Sequence, residues 1–500
     1  MPKKKSFSPF MKQCFVTSAV GLNIIGHGCV LGYPAVLLPQ LHQPNSAIPL
    51  MKEADSWIAA ITGIMMLVGS FLMWPIMGNL GRKVAHLAVT IPVILGWMIT
   101  IFATNFTALF VGRILGGLSF GMLNPLRSVL VGEYTSPKNR GAFLTTISLT
   151  QAFGIFFVHL IGSLLTWKTT AIVCLTFSIA SLIMIFFCPE SPSWLAERGR
   201  YEECRSVFKW LRGDEEDKEL EEMIQARIVI NKSQVIPTKE SNKIVGMLET
   251  VTKKEFYKPI TLMIHANCMI QFAGGTTMAS YSTVILGLVL GPNVNAHVWM
   301  IVLDSQRIIS NAAAVYVINR TKRRTMMFST GGLCVVSHLL IAAYVYLKIK
   351  GLLPYDALWI PVILVNIQYF TVATGMVPMP NVIAGEVFPL EYRSTGSMIS
   401  MVSLSAFMFV ALKTFPGLVE NVGLEGTYIV YAGVLFYNLF VMWFLLPETK
   451  GKTLQEIEDE FRGRPLNHLE LEARKSIEMD PLYAYKRRES ERRCSTPLLG

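Results

Sequence analysis

Charge is scarce in this chain of 500 residues: only 16% of positions are Asp, Glu, Lys or Arg, while 52% are hydrophobic and the mean hydropathy is +0.44. So apolar and so thinly charged a composition excludes a soluble protein of this length and points to a bilayer. Cysteine pairing is also missing. The eight cysteines stand singly, mostly inside apolar runs, with no CxxC and no His-rich partner motif, which excludes a disulfide scaffold and a zinc site and leaves small packing residues. No Walker-type phosphate loop, metal-ligand cluster or nucleophile constellation occurs, so the chain does not read as an enzyme and no cofactor is expected. The first apolar run contains no Asp or Glu, and no small-residue cleavage site follows it, so it reads as a permanent anchor.

What is present is long hydrophobic runs. A span needs roughly 20 mostly apolar residues, and twelve such stretches, spans 1 to 12 in order, can be placed near 14–39, 57–77, 84–104, 107–131, 142–165, 168–187, 259–289, 296–318, 326–347, 357–384, 395–416 and 426–446. Lys and Arg collect in alternate connections: Lys3 to Lys5, Arg82 and Lys83, Lys138 to Arg140, 198–258, Arg320 to Arg324 and Arg487 to Arg493. The opposite connections, such as 104–107, 290–296 and 417–425, carry almost none. By the positive-inside rule both termini and the long middle loop are cytoplasmic. The net charge of +11 thus reflects topology and not a nucleic-acid partner. The Asn105 sequon falls in a very short outer connection, a poor place for a glycan.

Three signatures recur in order. Gly81-Arg82-Lys83, Glu133 with Arg140 seven positions on, and Pro189-Glu190-Ser191 are followed by Lys322-Arg323-Arg324, Glu386 with Arg393 seven positions on, and Pro447-Glu448-Thr449. A unit of about 200 residues written twice is what a two-halved transporter with a site between its halves shows. The expected fold is therefore an all-α membrane protein of twelve transmembrane helices in two pseudo-symmetric six-helix bundles. The expected organisation is a cytoplasmic N-terminus 1–13, a first bundle 14–187, a linker 188–257 with amphipathic helices near Tyr201 to Arg212 and Asp214 to Ile230, a second bundle 258–446 and a cytoplasmic tail 447–500. Thr453 and Glu456 form a capping-box pattern at the start of that tail, and beyond about Asn467 the composition reads as disordered. Glycines four apart at Gly112, Gly116, Gly117 and Gly121 predict close helix packing.

With Gly112-Arg113, Arg140-Gly141, Pro189-Glu-Ser-Pro-Ser-Trp-Leu195, Glu386-x-Phe388-Pro389 and Pro447-Glu-Thr-Lys-Gly-Lys452 standing in order, the chain from about 14 to 462 resembles the sugar porter family of the major facilitator superfamily. Leu31-Gly-Tyr33, Lys413-Thr-Phe415 and Pro447 to Leu454 resemble its insect facilitative trehalose and sugar transporter branch. The resemblance implies the major facilitator fold and a monomeric plasma-membrane uniporter that moves a hexose or a trehalose-like disaccharide by rocking two bundles about a central site. Absence of an acid on the first span favours facilitated diffusion, with Asp304 the main exception. Two other readings stay open: a porter diverged toward an organic anion or glycoside, and a non-transporting nutrient sensor.

Arg82, Arg113, Glu133, Arg140, Glu190, Arg323, Glu386, Arg393 and Glu448 make up the expected cytoplasmic gate, a charge network spanning the two halves, against a plain positive-inside reading. The family's acid three positions before each Gly-Arg is here Gly78 and Asn319, and the second Gly is Lys322, so the lock is expected to be looser. Sugar recognition needs paired amides and a stacking ring. Of the family's paired Gln on span 7 the first is Ile270 and Gln271 remains; the following Asn is Thr276; the span 5 Gln is Ser148, with Gln151 one turn on; the span 10 Trp is Asn381; the span 11 Asn-Trp is Leu404-Ser405. Candidate contacts are therefore Gln151, Gln271, Thr276, Thr277, Tyr281 and Asn381, each weighed against interhelical hydrogen bonding, and Tyr281 also as an outer gate or interface aromatic. Asp304 and Arg307, three apart on span 8, read as a mutual pair or as an anion site, with Arg127 lacking a local partner. His27, His159, His265 and His338 read as packing residues.

Overall fold

In lipid a backbone must satisfy its own polar groups, so the apolar runs fold as helices. A computed structural model describes residues 8–44, 46, 48–49, 53–213, 216–233, 253–353, 357–389, 393–452 and 454–465. Spans 1 to 6 are Pro9–Leu41, Ala54–Leu80, Arg82–Ile101, Phe106–Tyr134, Pro137–Leu164 and Trp167–Phe187. Polar side chains open several of them: Asn105 accepts the Ala108 N–H at 2.9 Å and Thr166 accepts that of Thr169 at 3.3 Å. Asn105, the sequon residue, thus serves as a helix cap.

The second half is more broken. Span 7 comprises Lys254–Phe272 and Gly275–Leu290, interrupted at Gly274, whose φ of 93° is left-handed. Spans 8 and 9 are Ala296–Arg320 and Arg323–Ile349. Span 10 runs from Trp359–Thr371 through a π-helical turn, Val372–Met376, into Pro378–Val387. Among the described residues eleven helices are long and apolar enough to cross a membrane, but the last, Thr395–Leu445, has 51 residues. At about 1.5 Å per residue it is far longer than one crossing. Gly423, with φ 73° and ψ 173°, interrupts it and divides it into spans 11 and 12, giving the twelve crossings expected.

The first bundle is fastened by glycines. A Cβ on Gly28 of span 1 would lie 2.9 Å from the Gly154 Cα of span 5, and one on Gly117 of span 4 would lie 2.9 Å from the Thr62 Cα of span 2. These backbones touch, as small residues permit. The helices Pro192–Glu197, Tyr201–Arg212 and Asp217–Ser233 follow span 6. Among the described residues, their bonds to the membrane-spanning helices run to the first half. Trp194 Nε1 donates to the Gly78 carbonyl at 3.0 Å, Arg212 to that of Thr135 at 2.9 Å, and Gln13 donates back to that of Leu211 at 3.3 Å. Burial pushes the Cys204 thiol among them up to about 11, as suits a packing residue. The helix Leu454–Arg462 belongs to the second half, where Lys258 donates to the Phe461 carbonyl at 3.1 Å and Arg462 pairs with Glu255. Thr453 and the tail beyond Pro465 lie outside the described residues. The side carrying these helices is called the linker face below, and the other the far face.

Replacing Gly28 by Val overpacks the contact between spans 1 and 5. We expect a loss of about 1–3 kcal/mol, read as a lowered melting temperature of the purified chain in detergent. Gly287→Ala, whose added methyl would meet nothing within 4 Å, should leave that temperature unchanged.

Candidate functional site

The two halves meet along three seams, all toward the far face. Between spans 1 and 7, Ser280 and Thr283 donate to the carbonyls of Leu31 and Ala35 at 3.4 and 3.1 Å. Between spans 2 and 11, Lys413 donates to Ser56 Oγ at 2.8 Å and lies 4.3 Å above the Trp57 ring, while Gly63 abuts the Phe409 backbone. Between spans 5 and 8, His159 Nδ1 stands 2.5 Å from Asp304 Oδ2. Toward the linker face the halves part. A groove of about 600 Å³ opens there, lined by Leu67, Ser70, Phe71 and Trp74 of span 2, Asn124 and Ser128 of span 4, and Ser397, Met398 and Met401 of span 11. The chain is thus shut on one side and open on the other.

At the linker face the duplication holds residue by residue. Arg82 donates through Nε and Nη2 to both Glu133 oxygens at 2.9 and 2.8 Å, as Arg323 does to Glu386, with Nη2 at 3.0 Å. Ser191 Oγ donates to Glu133 at 2.5 Å, and Thr449 Oγ1 to Glu386 at 2.6 Å. Glu190 accepts the Arg82 and Lys83 N–H groups that open span 3, and Glu448 those of Arg323 and Arg324 that open span 9. A carboxylate at a helix N-terminus meets its unpaired N–H groups and the positive end of its dipole. Even Lys83 and Arg324 match, donating to the Phe186 and Leu446 carbonyls at the ends of spans 6 and 12.

The expected gate network spans the halves when this face is shut; here the face is open. Among the described residues no hydrogen bond or ion pair joins the two clusters, because the groove separates them; each is internal to one half. Arg113 is no part of either. It sits two turns from the start of span 4, in the far half, 4% exposed, donating to the Ile58 and Val30 carbonyls and to Thr62 Oγ1. Arg140 has a buried Nε with no hydrogen-bond partner, and the Arg393 side chain lies outside the described residues.

The candidate solute contacts are not gathered in the groove. Gln151 accepts from Arg127 at 3.0 Å, which supplies the partner Arg127 lacked in sequence. Gln271 is 3% exposed and its Oε1 is without a hydrogen bond. Thr276 is half-buried, and Thr277 lines a cavity of about 10 Å³ with Gln368, Tyr428 and Tyr431, room for a water at most. Tyr281 is buried, stacked on Phe415 with centroids 5.1 Å apart, and its hydroxyl donates to the Leu412 carbonyl at 3.1 Å. Asn381 is exposed and donates to its own helix at Val377. Sequence reasoning missed Asn124 and Trp74, an amide and an indole facing the groove, because neither falls at a position of the family motif.

Asp304 was expected either to pair with Arg307 or to serve an anion site. It pairs with His159 across the seam instead, and Arg307 keeps a buried, unpartnered Nη1. His159 is therefore no simple packing residue, unlike His27, held by Ser119 Oγ and the Asn23 carbonyl at 2.7 Å each.

Two six-helix halves, a duplicated charge cluster and an interfacial groove make up a two-halved membrane protein with room for a site between its halves. The description "Sugar (and other) transporter" covers the family model that matches residues 14–461, and the chain belongs to that family. Among curated relatives it is similar to the facilitated trehalose transporter Tret1 of Drosophila yakuba, 26% identical over 93% of this chain and 54% of that one. The Bombyx mori protein of the same name is 26% identical over 89% of this chain and 86% of that one. The chain spans about half the length of most of the curated relatives it matches first. Among solved structures it resembles the xylose transporter XylE from E. coli in an inward open conformation, with a TM-score of 0.70 at 15% identity over 91% of this chain and all of that one. The proton:xylose symporter XylE bound to 6-bromo-6-deoxy-D-glucose gives 0.68 at 16%, and the fold is that of the major facilitator superfamily.

Glu448 offers a pH test of the helix-start clusters. Partial burial is the largest influence on its carboxyl and pushes it up, yet the N–H groups of Lys450, Arg323 and Arg324, with Lys322 nearby, together hold it below its ordinary value. A lowered carboxyl contributes stability above the usual carboxylate range and loses it as pH falls through its own value. Thermal melts should therefore show Glu448→Gln less stable than the unsubstituted chain at pH 7, with the gap closing on acidification below about pH 4.5.

Proposed function

We propose that this chain is a facilitative transporter of a sugar, hexose or disaccharide, working as a monomeric uniporter in the plasma membrane with its termini and linker face in the cytoplasm. The carrying observation is the pairing of a sealed far face with a groove open to the linker face. It is the geometry of one end state of a rocking cycle. Family membership, relatives named as trehalose transporters and the Lys and Arg excess of the linker face support the reading.

A pyranose presents hydroxyls at its edges and C–H bonds on its face. Trp74 offers a stacking surface and Asn124 an amide that both donates and accepts; Gln271, with its free carbonyl oxygen, adds a second amide as the halves rock. When the groove closes, the Arg82–Glu133 and Arg323–Glu386 clusters face each other and act as the gate. A second reading, an anionic solute, is favoured by one observation: the partnerless buried Nη1 of Arg307.

Uptake of labelled glucose, trehalose and a panel of organic anions into oocytes expressing the chain tests both. We expect saturable sugar uptake, with Asn124→Ala and Gln271→Ala each raising KM about tenfold, the equivalent of one hydrogen bond of roughly 1.4 kcal/mol. Entry of an anion without sugar, abolished by Arg307→Gln, would replace the first reading with the second.

A further inference from the structure

His159 of span 5 meets three other spans at the seam between the halves, two of them from the opposite half. Its Nδ1 faces Asp304 Oδ2 of span 8 at 2.5 Å, and its Nε2 lies 3.1 Å from both the Gly32 carbonyl of span 1 and the Ala279 carbonyl of span 7. Both partners are sealed from solvent, at 0% and 2% exposure. Other ionisable groups within electrostatic reach are Arg307 and His297 on span 8 and Tyr369 on span 10; spans 1 and 7 meet the ring through their carbonyls.

Hydrogen-bond accounting fixes the proton content of this arrangement. Two carbonyl oxygens can only accept, so Nε2 must carry a hydrogen. A contact of 2.5 Å between Nδ1 and a carboxylate oxygen also requires a hydrogen between them, whichever atom holds it. Imidazolium with carboxylate, and neutral imidazole with carboxylic acid, both satisfy this, and both contain two protons. Neutral imidazole with carboxylate contains one and aims a lone pair either at two carbonyls or at an anion, at a depth where nothing screens the repulsion.

Opening the far face separates spans 1 and 5 from spans 7 and 8 and wets both groups. An imidazole in water is mostly neutral above about pH 6.5 and a carboxyl ionised above about 4, so the open pair keeps one proton at neutral pH. We propose that the His159–Asp304 pair is a proton-binding site that takes up one proton each time the far face closes, so that acid locks the chain open toward the linker face. The proton enters and leaves by the same face, so the site sets the balance of conformations without making the cycle a symport. This rests on the alternating-access reading given above.

Linkage gives the sign. The closed form binds one more proton than the open form wherever the open imidazole is neutral, so closure is favoured as pH falls. Below about pH 6.5 the open form is also protonated and the dependence flattens.

The test uses the purified chain in detergent with one added thiol. Ala35→Cys lies in the sealed seam, and Phe102→Cys, at a position 76% exposed on the far face, reports intrinsic thiol reactivity at each pH. The maleimide labelling rate at Ala35→Cys divided by that at Phe102→Cys should rise about tenfold per pH unit from about 6.5 to about 8. In Asp304→Asn, whose amide donates to Nδ1 without binding a proton, and in His159→Gln, the ratio should be flat. A flat ratio in the unsubstituted background, or an equal rise in Asp304→Asn, overturns the proposal, and the unsubstituted background decides alone if a variant fails to fold. A ratio that responds to pH but never to added sugar would count against the transport reading and leave the proton site standing.

Discussion

An ion withdrawn from water needs an opposite charge or polar partners close by, and the glutamates and arginines of the linker face and the seam pair are arranged by that demand. At the linker face the demand is met twice over by the same device: one glutamate grips an arginine from two sides, while another accepts the N–H groups of the helix that arginine begins. Deep in the far half it is met by His159 and Asp304, one from each bundle. The first arrangement fixes how helices sit within a half. The second concerns how the halves sit against each other, and it is the more fragile because its two members travel on different bodies.

Much of the architecture was legible in the chain. Duplicated signatures gave two halves, hydropathy gave twelve crossings, and the matched clusters Arg82–Glu133 and Arg323–Glu386 fall on residues the repeat had singled out. What the sequence obscured was depth. Gly112-Arg113 looks like another Gly-Arg signature and was grouped with the gate, yet span 4 runs from the far face inward, and its second turn lies at the opposite end from Glu133. Residue order alone does not say which end of a span a motif occupies; the direction of travel does.

The same limit hid the seam. Asp304 and Arg307 stand three apart and read as neighbours, whereas His159 is 145 positions away. The usable signal was geometric: His159 lies five residues from the end of span 5 and Asp304 eight from the start of span 8, so both sit at similar depth under the far face. Sugar contacts were hard to read for a different reason. The motif positions have changed chemistry, and the groove presents Asn124 and Trp74, which come from spans 4 and 2 and from no motif.

The glycine contacts carry a mechanical consequence. Where backbones of spans 1 and 5, and of spans 2 and 4, lie against one another without side chains between, there is nothing to slide or compress. In the second half, spans are interrupted instead, at Gly274 in span 7 and at the π turn of span 10. Two copies of one ancestral unit have in this way diverged in build: the earlier is clamped main chain to main chain, and the later carries breaks inside spans 7 and 10.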